Sequence, residues 1–256
     1  RNIRRKNPGD VILAWRHFTE QLPKEQAQKC ALVMHTQAVD QNGTDLKAVR
    51  ELLCDPEYCN VILDENKFTS EEMNCMYNLA DVNVLISSNE GWGLSLTEAM
   101  MAGKMVIANT TGGMQDQMRF VDKKGNWIEF DEKFPSNHRG TYKECGKWAV
   151  PVFPSNLSLV GSVPTPYIFD DRCNAEDVAQ ALNQVYSLTP EEREERGKLA
   201  YEWVTSDESR MSARKMCQNM IESIDDTLDT FTPKFSYELI KIEDRKPKHI
   251  NHSLTY

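Results

Sequence analysis

Two glutamates flank a glycine-rich turn in the stretch SSNEGWGLSLTEAM, which occupies residues 87–100. Glu90 and Glu98 are eight positions apart, and Gly91 and Gly93 follow the first of them. An ionised carboxylate accepts hydrogen bonds from neighbouring hydroxyls, each worth about 1.5–3 kcal/mol. Glycines let a backbone approach a ligand closely, and the start of a helix attracts anions. These residues therefore favour a site that holds the diol of a sugar or ribose beside an anionic group.

Glu98 also has a purely structural interpretation. Ser95 and Glu98 have the spacing of a capping box, in which the glutamate only closes the start of its own helix. The same stretch excludes a GxGxxG dinucleotide fingerprint, because Leu96 stands where the third glycine is needed, and the chain contains neither GxxxxGK[ST] nor GxSxG. On these residues alone, the diol and the cap interpretations of Glu98 both stay open.

Short apolar runs alternate with helical patterns along the first 115 residues. Strands are predicted at 31–35, 60–63, 81–87 and 105–109, and helices at about 11–22, 45–53, 70–80 and 95–102. This order predicts an α/β fold with a Rossmann-like doubly wound parallel sheet. Ligands bind such sheets at the carboxyl ends of the strands, which is where the glycine-rich turn follows the strand at 81–87.

Residues 121–170 break the alternation, because their glycines, prolines, serines and aromatic residues follow no clear period. A stretch of this length inside a domain is typical of a functional lid or a packed elaboration. Helices are predicted again over 175–187, from Pro190 behind a Thr189–Glu192 capping box, and over 207–229. The sequence thus predicts one domain over 1–229, with an irregular insertion at 121–170, and a solvated tail over 230–256.

The composition predicts a soluble globular protein, since 40% of the residues are apolar, 27% are charged and no run approaches the length of a membrane span. A net charge of −9, spread along the chain, argues against nucleic acid as a partner, because phosphate neutralisation needs a basic face. The seven cysteines form no CxxC pair and indicate neither a disulfide framework nor a metal site. With no secretory signal visible, the expected location is the cytoplasm.

Residues 90–113, EGWGLSLTEAMMAGKMVIANTTGG, closely resemble the signature of the retaining GT-B glycosyltransferases of family 4. That signature has a glutamate, Gly-aromatic-Gly-Leu, a second glutamate eight residues after the first, Ala-Met, a glycine and Gly-Gly. The opening RNIRRKN resembles the family's basic phosphate loop. The resemblance covers about residues 1–115 and implies that residues 1–229 are the C-terminal, nucleotide-sugar-binding half of a GT-B fold.

The resemblance implies a role for each matching residue. Glu90 would contact hydroxyls of the transferred sugar, and Glu98 would hold the ribose. The backbone of the signature would line the sugar and the phosphates, and the loop before the helix at 70–80 would hold the base. The further donor-binding positions are then Trp92, Gly93, Leu94, Gly112 and Gly113 in the signature, and Asn66, Lys67 and Phe68 at the base.

Arg1 and Lys6, five positions apart, match the cations that bind the diphosphate in that family. Cations suit this task because they offset the charge that builds up on a departing nucleoside diphosphate. Arg4 and Arg5 lie in the same loop and leave the choice of cation open. The resemblance implies neither a metal nor a cofactor, and the leaving phosphate oxygen would itself take the proton of the acceptor.

The implied function is donor binding in a glycosyltransferase that moves a hexose from a nucleoside-diphosphate sugar to an acceptor hydroxyl, with retention. Its partners would be the nucleotide sugar, a hydroxyl of a glycan, lipid or protein, and an N-terminal acceptor domain that the chain lacks. The chain by itself is therefore expected to be inactive. Two alternatives stay open, namely a nucleotide-sugar-binding module without catalysis and a GT-B nucleotide-sugar epimerase.

Overall fold

The computed structural model describes residues 1–128 and 133–233, which form an α/β fold with two parallel sheets. One sheet pairs β1 (Leu32–His35) with β2 (Val61–Asp64). The other has the order β3-β4-β5 and contains Val82–Leu85, Met105–Asn109 and Ala149–Val152. The predicted α/β class is confirmed. Within the described ranges, no helix is long and apolar enough to cross a membrane.

Helices alternate with the strands along the chain. Their bounds are α1 (Pro8–Thr19), α2 (Lys24–Ala27), α3 (Leu46–Leu53), α4 (Ser70–Leu79), α5 (Leu94–Met101), α6 (Met114–Met118), α7 (Ala175–Tyr186), α8 (Pro190–Thr205) and α9 (Ala213–Thr230). The apolar face of α1, with Ile12, Trp15 and Phe18 buried, packs in one core with α7, α3 and strand residues of both sheets. A second core lies around α5, α6 and α8 and includes Leu96 and Phe120. Burial of these apolar side chains is the main force that holds the helices on the sheets.

Two helix starts follow the local sequence signals closely. Thr69 caps α4 and Thr189 caps α8, and in both cases the glutamate three residues later closes a capping box. Glu72 and Glu192 each accept a hydrogen bond from the backbone of the capping threonine. Both predicted boxes are confirmed, because a capping box depends only on residues within one helical turn.

The stretch 121–170 is more regular than predicted, since strands occupy most of it from residue 149 onwards. Ala149–Val152 is β5, and β6 (Asn156–Ser162) forms an antiparallel hairpin with β7 (Thr165–Arg172). The prediction of an irregular insertion is therefore wrong for this part. β5 carries Pro151 and has only four residues, so its strand character comes from pairing with β4 rather than from its own pattern.

The chain divides into two compact units, Arg1–Ser212 and a second unit that begins at Ala213. The helix predicted over 207–229 is α9 and begins six residues later than expected, at Ala213. Most of the predicted tail, 230–256, lies outside the described residues, which end at 233. The domain boundary predicted at residue 229 stays a prediction.

The first seven residues are attached to the segments that follow β1 and β3. Asn2 is fully buried, donates to the carbonyl of Thr44 at 2.6 Å and accepts from the Thr44 N–H at 3.1 Å, in the loop after β1. Asn7 donates to the carbonyl of Ile86 at 3.1 Å, just after β3. The segment thus holds the carboxyl ends of β1 and β3 in a fixed relation.

Candidate functional site

Glu90 lies in the loop after β3 and is surrounded by cations. Its side chain is only 8% exposed, and its Oε1 atom accepts from Arg5 Nη1 at 2.7 Å and from Ser87 Oγ at 3.0 Å. Lys6 Nζ contacts the same oxygen. Burial alone would raise the pKa of Glu90, but the hydrogen bonds from Lys6 and Arg5 outweigh it and hold the pKa below its usual value. Glu90 is therefore a buried, ionised carboxylate at neutral pH.

The pairing of the cations in the N-terminal loop, residues 1–7, differs from the prediction in one respect. Arg1 Nε lies 3.6 Å from Asp40 Oδ2, and the Arg1 side chain is 66% exposed. The structure therefore brings Lys6 to Glu90 but pairs Arg1 with a different carboxylate. Arg5, one of the two arginines that the sequence left open, makes the second contact to Glu90. The sequence contains only a weak signal for this contact. Arg4, Arg5 and Lys6 are consecutive, and their order does not reveal which of them faces inwards in the 3₁₀ turn.

Gly112 and Gly113 pack directly against the backbone of the Glu90 loop. A Cβ atom at Gly112 would lie 2.2 Å from the carbonyl oxygen of Glu90, and one at Gly113 would lie 2.2 Å from that of Gly91. The Gly113 N–H donates to the Glu90 carbonyl at 3.1 Å. Gly112 also has a φ of +53°, which favours glycine. This close approach explains both glycines and fixes the position of the Glu90 loop.

The residues between the two glutamates form the start of α5. Gly93 is the N-cap, with a φ of +89°, and Leu94, the first helical residue, is 67% exposed. The indole N–H of Trp92 donates to Thr97 Oγ1 at 2.9 Å, and Thr97 donates to Gln117 Oε1 at 2.7 Å. The Gln117 amide in turn donates to the Trp92 carbonyl. Gln117 lies outside the signature at residues 90–113 and is fully buried. Its hydrogen bonds to Thr97 and Trp92 hold the turn between the two glutamates in place.

Glu98 does not cap its helix. Because α5 begins at Leu94 behind Gly93, Ser95 lies inside the helix, and no side chain caps its start. The Oε2 atom of Glu98 instead accepts a hydrogen bond of 2.6 Å from the hydroxyl of Tyr77 on α4. Burial, and then the Glu98 carboxylate, raise the pKa of Tyr77. The capping-box interpretation of Glu98 is therefore wrong, and its exposed carboxylate is available at the surface.

The loop predicted to hold a base lies at the carboxyl ends of β1 and β2. His35 and Asp64 end these strands opposite each other, and His35 Nδ1 is 2.9 Å from Asp64 Oδ2. The ring of Phe68 stacks on His35 at 4.6 Å between centroids and 6° between planes. Asn66 donates from its side chain to Asp64 at 2.7 Å, and Lys67 is exposed. Sequence reasoning missed His35 and Asp64, although each is the polar last residue of an apolar strand.

The β6–β7 hairpin is attached at its base to the loops of the site. Asn89 donates to Asp170 Oδ1 at 2.8 Å, and Thr111 donates to Asp171 Oδ2 at 2.7 Å. The Asp171 N–H donates to the carbonyl of Ser88 at 3.0 Å. The C-terminal part of β7 thus braces the residues immediately before Glu90 and the turn before Gly112.

The part of the chain that the structure describes holds no group of three His, Cys, Asp or Glu residues suited to a metal ion. A wide groove of about 910 Å³ lies elsewhere, beside the starting ends of β3 and β4, and is lined by residues that include Asp81, Lys104 and Arg193. It contains none of the predicted site residues. The chemistry of the Glu90 region, rather than cavity size, identifies the candidate site.

Comparison with known families gives one match over half of the chain. Residues 1–133 match the family described as Glycosyl transferases group 1. A trehalose synthase from Thermococcus litoralis is 28% identical over 147 residues, which are 54% of this chain and 34% of that protein. The chain thus spans about a third of the length of this curated relative. The family match over residues 1–133 spans the positions of every predicted site residue.

Solved structures show the same fold at low identity. An α,α-trehalose-phosphate synthase (UDP-forming) from Burkholderia vietnamiensis aligns with a TM-score of 0.55 and 8% identity, over 88% of this chain and 44% of that one. A trehalose-6-phosphate protein from E. coli, bound with UDP-2-fluoro glucose, aligns with a TM-score of 0.52 and 12% identity, over 90% and 42% of the two chains. At these identities the likeness shows the fold alone, and the chain spans less than half of each structure.

Proposed function

The chain belongs to the glycosyl transferases group 1 family, and on that premise we propose that it binds the sugar donor in a cytoplasmic glycosyltransferase of family 4, which moves a hexose with retention. The observation that carries the proposal is Glu90, an ionised carboxylate that is 8% exposed and held by cations at the carboxyl end of β3. Removing a charge from water costs folding free energy even when the charge is paired, so a buried carboxylate of this kind is evidence of a function rather than of added stability. A carboxylate beside cations matches a donor that presents sugar hydroxyls next to a diphosphate.

The donor is proposed to lie across the carboxyl ends of β1–β4. Glu90 accepts hydrogen bonds from the hexose hydroxyls, Lys6 and Arg1 bind the diphosphate, and the exposed Glu98 accepts from the ribose hydroxyls. The exposure of Arg1 leaves it able to turn from Asp40 towards a phosphate. The remaining contacts come from the backbone of Trp92, Gly93, Leu94, Gly112 and Gly113, and from Asn66, Lys67 and Phe68 at the base.

The reaction proposed for the whole enzyme needs no metal, no cofactor and no protein base from this half. The bond between the anomeric carbon and the leaving phosphate oxygen breaks, and a bond from that carbon to the acceptor oxygen forms on the same face. The acceptor proton passes to the leaving phosphate oxygen. Lys6, Arg1 and the start of α5 stabilise the negative charge on the departing diphosphate. The acceptor would be held mainly by an N-terminal domain of the same enzyme.

Calorimetric titration with UDP, GDP and ADP, followed by the sugar conjugate of whichever binds, tests this proposal. UDP and UDP-glucose are the natural first pair, because the E. coli relative is bound with UDP-2-fluoro glucose. Glu98→Gln should weaken the binding of the nucleoside diphosphate itself. Glu90→Gln should leave that binding unchanged and remove the additional affinity for the sugar conjugate.

A matched control is Glu71→Gln, which removes an exposed carboxylate from the first turn of α4 and should change neither affinity. The absence of binding to all three nucleotides by the wild-type chain would contradict donor binding by this unit. Equal losses of both affinities in Glu90→Gln would contradict the assignment of Glu90 to the sugar. Product analysis with the complete enzyme would then test transfer, because release of a free epimer would instead indicate an epimerase.

A further inference from the structure

Arg5 holds the Glu90 loop through both its side chain and its backbone. Its Nη1 atom donates to Glu90 Oε1 at 2.7 Å and to the carbonyl of Asn89 at 2.9 Å. Its own carbonyl accepts from the Ser88 N–H at 2.7 Å and from Ser88 Oγ at 3.2 Å. No other cation of the N-terminal loop makes such a set of contacts among the described residues. Arg5 is thus tied to three consecutive residues, 88–90.

The contacts to Glu90 all fall on one of its two carboxylate oxygens. Arg5 Nη1, Lys6 Nζ and Ser87 Oγ each make their contact with Oε1, whereas Oε2 accepts no side-chain hydrogen bond within residues 1–128 and 133–233. A carboxylate oxygen has two lone pairs and accepts hydrogen bonds readily. The protein therefore fixes the orientation of the carboxylate through Oε1 and leaves Oε2 able to accept from a ligand.

We propose that Arg5 is a positioning residue that orients Glu90 Oε2 towards the sugar hydroxyls, an inference that rests on the donor-binding function proposed above. Arg5 and Lys6 would then have separate tasks. When Lys6 turns to the diphosphate, Glu90 keeps Arg5 as its partner and stays ionised in a buried position. Arginine suits this task because its planar guanidinium bonds the carboxylate and a backbone carbonyl at once, whereas lysine is a single mobile charge.

The test compares the binding of UDP with that of UDP-glucose by calorimetry. In Arg5→Gln the ratio of the two affinities should fall by about tenfold or more, because the charge-assisted bonds between Glu90 and the sugar hydroxyls depend on the orientation of the carboxylate, while the affinity for UDP stays unchanged. Arg5→Lys should restore part of the ratio. Lys6→Gln should weaken both ligands together. Arg4→Gln, which removes an exposed cation from the same turn, is the control and should change neither.

A pH series separates positioning from a general structural effect. Without Arg5, the pKa of Glu90 should rise, because one of the hydrogen bonds that lower it is lost. The affinity ratio of Arg5→Gln, divided by that of the wild type at the same pH, should therefore decline further between pH 7 and pH 5. The division removes the effect of the terminal phosphate of UDP, whose second pKa of about 6 lies in this range. A thermal melt of each variant at both pH values confirms that the folded state is compared.

Three outcomes would overturn the inference. Equal weakening of UDP and UDP-glucose in Arg5→Gln would make Arg5 a diphosphate ligand. An unchanged ratio at both pH values would show that Glu90 needs no help from Arg5. Failure of the wild-type chain to bind UDP or any other nucleoside diphosphate would instead contradict the proposed function. The two failures are distinguishable, because the titration of the wild type comes before any comparison of variants.

Discussion

Replacement of Gly113 by alanine should disrupt the packing between the Gly-Gly turn and the Glu90 loop. Gly113 has a φ of −67°, which alanine adopts without strain, so the effect is purely steric. Its new Cβ would lie 2.2 Å from the Gly91 carbonyl oxygen and 3.0 Å from Trp92 Cα. The two segments must separate by roughly 1 Å to reach an ordinary contact distance. Overpacking of this kind costs about 1–3 kcal/mol.

The same movement would also stretch the hydrogen bond from the Gly113 N–H to the Glu90 carbonyl, now 3.1 Å. Its loss adds about 0.5–1.5 kcal/mol, which brings the expected destabilisation to roughly 1.5–4.5 kcal/mol. For a unit of this size the melting temperature should fall by roughly 3–18 °C. Differential scanning calorimetry measures this fall directly.

Gly91→Ala is the matched control, because a Cβ atom at Gly91 meets nothing within 4 Å and its φ is not positive. Its melting temperature should stay within about 2 °C of the wild type, since surface substitutions without such contacts change stability by less than about 0.5 kcal/mol. Equal melting temperatures for the two variants would refute the steric argument. They would show that the turn and the loop relax apart without cost.

Three further predictions concern single side chains. Tyr77→Phe removes the hydroxyl that donates to Glu98 and should lower the free energy of unfolding in urea by about 0.5–1.5 kcal/mol. In a Glu98→Ala background the same substitution should leave that free energy unchanged, and a remaining loss would contradict the pairing. Burial raises the pKa of Asp116 from 3.8 to about 6, so the folded state loses stability as the pH rises from the lower value to the higher one. Asp116→Asn should therefore raise the melting temperature at pH 7.5 and not at pH 3, and a gain equal at both would exclude this cause. Thr189→Ala should cost about 1 kcal/mol in thermal unfolding, because Thr189 accepts from the Glu192 N–H at 3.2 Å, and Thr189→Ser should recover most of it.

The elements that the sequence predicted well are those whose signals are local. The capping boxes of α4 and α8, and strands β1–β4, depend on residues a few positions apart. β5 was missed because its strand character comes from pairing with a distant segment. The β6–β7 hairpin is local, and it was missed because its glycine and prolines obscure any regular period. β5 pairs with β4, more than 40 positions earlier in the chain, and no local period shows that register.

The candidate site divides in the same way. The Glu90 turn, Glu98 and the two packed glycines lie in one continuous motif, so their proximity follows from one strand–turn–helix unit. The pairing of Arg5 with Glu90 joins residues 85 positions apart, and His35 meets Asp64 across two strands. Motif spacing carries no information on such pairs, because they depend on how the loops after different strands approach each other.

Three separate parts of the chain hold the loop that carries Glu90. Arg5 binds residues 88–90 from the N-terminal segment, Gly113 binds the Glu90 carbonyl from the turn after β4, and Asp170 and Asp171 bind residues 88 and 89 from the hairpin. A loop attached at three points loses little conformational freedom when a ligand binds, so less of the interaction energy is spent on ordering it. In the proposed function, the same attachments would hold Glu90 at one orientation before the donor arrives, which is the condition for a carboxylate to discriminate between sugar hydroxyls by geometry. The N-terminal segment would then act on the sugar through Arg5 as well as on the phosphates through Lys6.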